Sequence, residues 1–193
     1  MNDTKLIGSA GEHWVCSVLA AQGWAVALTR DGLAHSDILA VQSQPPRLMI
    51  EVQVKTASHG TSTWRVNRKA QEEALSPREW FVFVLLGERP WDAPRGFVVP
   101  RDHVAAAAHI AWTNWRTDPE VSEETLKKRN TPIDQARLHD YDLLGYQDRW
   151  DLLCEPTSNA PVLLPPHFRT LAGRVGLPDQ WKLNPPEWWE SWV

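Results

Sequence analysis

The run Trp80–Leu86 (WFVFVLL) limits the fold more than any other stretch of this chain. An extended segment of consecutive apolar residues puts large side chains on both faces of a sheet, so both faces must be covered. That predicts a central strand with packed layers above and below it, an α/β arrangement rather than a helical bundle. At 193 residues and 42% hydrophobic content, the chain can bury one sizeable core.

The flanking segments can be placed around this strand. Ser9-Ala-Gly-Glu12 fits a capping box, followed by a helix with Val15, Val18, Leu19 and Gln22 on one stripe and Gly23 as its stop. Trp24–Arg30 and Ser36–Gln42 are predicted strands separated by a turn at Asp31-Gly32. Arg47–Ala57 is a third strand, in which Ile50, Val52 and Val54 face one way and Glu51, Gln53 and Lys55 the other. Thr63–Asn67 reads as a short strand, Arg68–Leu75 as a short helix, Gly96–Val99 as a strand and Asp102–Trp115 as a helix.

The character changes after Thr117, which divides the chain into a core, 1–117, and a C-terminal helical and irregular extension, 118–193. In the extension, Ser122–Arg129 is a short helix candidate. Ile133–Leu153 holds another, with Leu138, Tyr141, Leu144 and Leu152 as its inward side. Beyond Glu155 the chain is rich in Pro, Trp and Leu; an irregular arm that wraps the core or docks on a partner is expected.

Composition excludes several classes of function. The net charge of -4 argues against strong non-specific binding to nucleic acid, although Arg47, Lys55, Arg65, Arg68 and Lys69 make one stretch locally basic. Two cysteines, Cys16 and Cys154, do not form a disulfide framework or a CxxC zinc site. No GxxxxGK[ST], GxGxxG or GxSxG motif is present, so phosphate-loop, dinucleotide and serine-hydrolase chemistry lack their signatures. The apolar runs are shorter than a bilayer span and the N-terminus does not read as a secretory signal; a cytoplasmic protein without membrane contact is expected.

The third strand places a carboxylate, an amide and an amine on one face. Asp37 opens the preceding strand, and Glu12 lies in the first helix beside its apolar stripe. In order and spacing, Glu12 … Asp37 … Glu51-Val-Gln53-Val-Lys55 resembles the PD-(D/E)xK nuclease superfamily, nearest to its Holliday-junction-resolvase-like and QxK branch. The resemblance covers about the first 115 residues. It implies a restriction-endonuclease-like αβββ(α)βα core with a mixed central sheet. It further implies that Asp37, Gln53 and Glu12 hold Mg²⁺, with Mn²⁺ as a substitute, and that Lys55 orients or deprotonates the attacking water. The substrate would be nucleic acid, DNA in the first instance, with Arg65, Arg68 and Lys69 as phosphate contacts.

Two departures stand out: Ser36 replaces the family's proline, and Gln53 supplies an oxygen but no charge where the family has an acid. The residues keep plainer readings as well. Glu12 can be the capping partner of Ser9, Asp37 half of a structural ion pair with Lys55, and the three basic residues a solvated surface. The alternative function is a catalytically inactive interaction module of the same fold, using the Trp- and Pro-rich arm. A homodimer or a protein partner bound through that arm fits either reading.

Overall fold

The computed structural model describes residues 3–29, 36–122, 124 and 135–177. The expected turn at Asp31-Gly32, most of the helix expected at Ser122–Arg129 and the arm beyond residue 177 lie outside the described residues.

Helix α1 spans Thr4–Ala21 and starts earlier than the sequence suggests. Asp3 is its N-cap and accepts the Lys5 N–H at 2.9 Å. Ser9 and Glu12 therefore lie inside the helix and form no capping box. Nothing between Thr4 and Gly8 breaks a helix once Asp3 has satisfied a free N–H of the first turn. Gly23, at φ 86°, turns the chain into β1.

Strands β1 (Trp24–Leu28), β2 (Ile38–Gln42) and β3 (Met49–Ala57) form an antiparallel meander. Strand β4 (Thr63–Val66) then leaves this sheet, and β5 (Glu79–Leu85) returns parallel to β3, with β6 (Arg95–Pro100) antiparallel beyond it. The order β1-β2-β3-β5-β6 makes a five-stranded mixed sheet. Every residue of β5 is buried, as its unbroken apolar sequence requires.

Helix α1 covers one face. A Cβ added to Gly11 would meet the Thr56 side chain, and one added to Gly96 would meet the Trp14 ring. The other face, bearing Phe81, Phe83 and Phe97, is covered by Trp64 of β4 and by the start of helix α2 (Arg101–Thr117).

Instead of the helix expected at Arg68–Leu75, a single 3-10 turn spans Arg68–Gln71. The buried Arg101 guanidinium takes the carbonyls of Lys69 (2.6 Å) and Glu72 (3.3 Å), and Glu79 accepts the N–H groups of Leu75 and Ser76. Those backbone groups serve a buried ion pair, Arg101 Nε to Glu79 Oε2 at 3.3 Å, and not a helical ladder.

The described part of the extension packs on the core. Strand β7 (Ala136–His139) pairs antiparallel with β4, and helix α3 (Pro166–Val175) lies against α2. The single helix expected over Ile133–Leu153 is replaced by β7 and three 3-10 turns. Leu138 and Leu152 are buried as expected, whereas Tyr141 and Leu144 are exposed, because a strand followed by turns does not keep a 3.6-residue stripe. Cys16 and Cys154 are both free thiols.

Candidate functional site

The local geometry of the site comes from an irregularity at the start of β2. Ile38 pairs with Val52, yet the N–H of Asp37 also donates to the Val52 carbonyl, at 2.9 Å. Two residues of one strand thus face one residue of the other, the arrangement of a β-bulge, which bends the strand and re-aims a side chain. The re-aimed carboxylate turns onto β3, where Asp37 Oδ2 accepts the backbone N–H of Val54 at 2.7 Å. Val54 lies between Gln53 and Lys55, so the aspartate is fixed on the backbone of the residue that separates those two positions.

Gln53 and Lys55 share their face of the sheet with Phe81 and Phe83, their partners on β5. Burial beside that apolar strand pushes the Lys55 ammonium below its ordinary pKa, and the negative charges of Asp37 and Glu12 oppose the shift. Glu12 responds in the opposite sense: burial raises its carboxyl above the ordinary range, the Asp37 carboxylate raises it further, and His13 and Lys55 act against both. Glu12 and Lys55 thus each feel Asp37 and one another. No ion pair within 4.0 Å links Lys55 to Asp37 among the described residues, so the structural pair that Asp37 and Lys55 could have formed is not made.

The site's remaining acid is engaged elsewhere. Ser36, at the position where the nuclease motif has proline, donates its hydroxyl to Glu51 Oε2 at 3.0 Å. Glu51 therefore pins the approach to the bulge and does not replace the charge that Gln53 lacks.

Arg65, Arg68 and Lys69 are exposed on β4 and the 3-10 turn that follows it. They are not among the charges acting on Glu12 or Lys55. The structure therefore brings Glu12, Asp37 and Lys55 within electrostatic reach of one another, places Gln53 on the same face of β3 as Lys55, and leaves the three basic residues on a separate element.

No group of three His, Cys, Asp or Glu side chains suited to a metal occurs among the described residues. The set at this site is two carboxylates and an amide. One oxygen of Asp37 is committed to the Val54 amide and the other makes no hydrogen bond among the described residues. Two carboxylates in electrostatic reach of each other, one with an oxygen left over, are the kind of oxygen donors that a small hard cation takes, and such an ion needs few protein ligands because it keeps several waters. No helix among the described residues is long and apolar enough to cross a membrane.

No family model matches the chain. No curated protein and no solved structure matches it either.

The sequence reading missed the bulge, the Val54 amide as the anchor of Asp37, and the engagement of Glu51 by Ser36. Ser36 before an aspartate at a strand start was a visible signal; the bulge had none, because strand alternation assumes a regular ladder.

Proposed function

We propose that the protein is a metal-dependent endonuclease that hydrolyses phosphodiester bonds, with DNA as its substrate, built on the PD-(D/E)xK pattern. One observation carries the reading: Asp37 is anchored on the peptide between Gln53 and Lys55, with Glu12 in electrostatic reach of both charged partners.

In this reading Asp37, Glu12 and Gln53 hold Mg²⁺, or Mn²⁺ in its place. The bound cation neutralises charge on the scissile phosphate and acidifies water. Lys55 Nζ, its pKa lowered by burial, accepts a proton from the attacking water at a less alkaline pH than an exposed lysine could. The water oxygen would form a bond to phosphorus while the bond from phosphorus to the 3′ oxygen breaks and that oxygen takes a proton from solvent, leaving 5′-phosphate and 3′-hydroxyl ends. The Val54 amide keeps the Asp37 carboxylate in one orientation through this exchange.

The test is cleavage of plasmid and branched DNA with Mg²⁺ or Mn²⁺ by the parent, Asp37→Asn and Lys55→Ala proteins. Asn keeps a carbonyl oxygen for the Val54 N–H, so Asp37→Asn should fold normally while losing cleavage. Cutting at the parental rate by either variant overturns the mechanism.

The missing third acid favours a second reading, a non-catalytic module of the same fold. Calorimetric titration with Mn²⁺ separates the two: stoichiometric binding abolished by Asp37→Asn supports the nuclease, and absence of binding supports the module.

A further inference from the structure

Strand β1 is one edge of the five-stranded sheet, and its hydrogen bonds show which of its backbone groups are spare. Thr29 N–H donates to the Asp37 carbonyl at 2.9 Å, and Ser43 N–H donates to the Gly23 carbonyl at 3.0 Å. Hydrogen-bonded pairs alternate along an antiparallel ladder. In this register Trp24 stands opposite Gln42 and Leu28 opposite Ile38, so the odd-numbered residues of β1 bond to β2. The N–H and C=O groups of Trp24, Val26 and Leu28 therefore point away from β2. Among the described residues no strand pairs with that edge.

The opposite edge of the sheet is closed in part. Gln147 bridges to Phe97 of β6, and Asp148 N–H donates to the Gly96 carbonyl at 2.9 Å. Native proteins that leave an edge open blunt it with charge, proline or a bulge. Strand β1 has none of these: its sequence is WAVAL, and its register with β2 is unbroken. From Trp14 to Thr29, through the second half of α1 and all of β1, there is no Asp, Glu, Lys or Arg, in a chain that is 23% charged. Ala25 and Ala27 are exposed, and Leu28 is 40% exposed.

This edge is complementary to itself. A two-fold axis brings the same surface of two copies together, so any charge on it would meet a like charge; here there is none. The outward-facing residues are centred on Val26. With the axis through that residue, Val26 exchanges two hydrogen bonds with Val26 of a second copy, and Trp24 of each copy lies opposite Leu28 of the other. Ala25 then faces Ala27 of the second copy, the smallest pair of side chains that a strand can offer, and Leu28 gains an indole as its cross-strand neighbour.

We propose that β1 is a homodimer interface: two copies pair antiparallel through Trp24–Leu28 and their sheets become one. The pairing needs no metal and none of the four side chains of the β2–β3 site, so it stands whether or not that site cuts nucleic acid.

The test is sedimentation of the full chain in EDTA over a range of concentrations up to about 100 μM. The parent should reach twice the chain mass. Val26→Pro removes an N–H that points away from β2, so the ladder within one copy survives and the far-UV circular dichroism should stay parental. The central pair of hydrogen bonds is lost, and dimerisation should weaken by roughly tenfold or more. Leu28→Lys, at an exposed position opposite Trp24 of the second copy, should weaken it as well, and decides the matter if Val26→Pro fails to fold.

Cross-linking reads the register. In a chain with Cys16→Ser and Cys154→Ser, Val26→Cys should form a disulfide between copies, because Cα atoms of a hydrogen-bonded pair lie about 5.5 Å apart, within disulfide range. Ala25→Cys, whose own copy lies on the diagonal at about 7–8 Å, should cross-link far more slowly. A parent that stays monomeric throughout, a dimer indifferent to both Val26→Pro and Leu28→Lys, or equal cross-linking at the two positions overturns the proposal.

Discussion

Replacing Gly11 by alanine tests how α1 delivers Glu12 to the site. Gly11 is buried in α1 where the helix crosses β3, and a Cβ there would lie 2.0 Å from Thr56 Oγ1 and 2.9 Å from both Thr56 Cβ and Cγ2. Rotating the threonine does not relieve the contact, because its Cβ is itself too near. The helix must lift off the sheet instead.

Overpacking of this kind costs about 1–3 kcal/mol, and the better helix propensity of alanine returns about 0.5–1 kcal/mol. A net loss of roughly 1–2 kcal/mol follows from those two figures. Urea unfolding monitored by far-UV circular dichroism measures it. The same lift carries Glu12 away from Asp37, so NMR titration should show the Glu12 carboxyl relaxing toward its ordinary value. In a Thr56→Gly background the obstructing atoms are gone, and Gly11→Ala should cost little or become stabilising. An equal cost in both backgrounds, or no cost in the parent, would refute the claim that this close approach sets the position of α1.

Two further predictions concern the buried polar groups. His103 is wholly buried against Tyr146, with Nδ1 at 2.8 Å from the phenol oxygen, and burial pushes its pKa down from 6.5 to about 3. Between those values the unfolded chain binds a proton that the native one does not, so this stability is complete above pH 6.5 and falls as the pH drops, by about 1.4 kcal/mol per unit. Denaturation at pH 7 and pH 4.5 should show that slope reduced in His103→Gln, and identical slopes would contradict it. Arg101→Ala strands the Glu79 carboxylate, 4% exposed, in the core and should cost about 3–5 kcal/mol in urea melts; a loss below 1 kcal/mol would show that water reaches the glutamate.

The legible part of the chain was the part governed by local pattern. The alternation of Ile50, Val52 and Val54 with Glu51, Gln53 and Lys55 is a property of an extended backbone and holds in whatever sheet the strand enters. Continuous burial of β5 follows from its composition in the same way. These two features determined the α/β class and put Gln53 and Lys55 on one face of β3; Asp37 and Glu12 came from the resemblance to a nuclease pattern.

What the sequence did not determine depends on partners distant along the chain. The segment after Arg68 is no helix because Arg101 and Glu79 draw on its backbone groups. Residues 136–139 are a strand because β4, having left the main sheet, presents an open edge to them. The bulge that aims Asp37 at the Val54 amide exists only where two strands meet out of step. Local pattern sets which way a side chain points from its own backbone; which groups become neighbours, and how much water is left between them, is decided when the layers close.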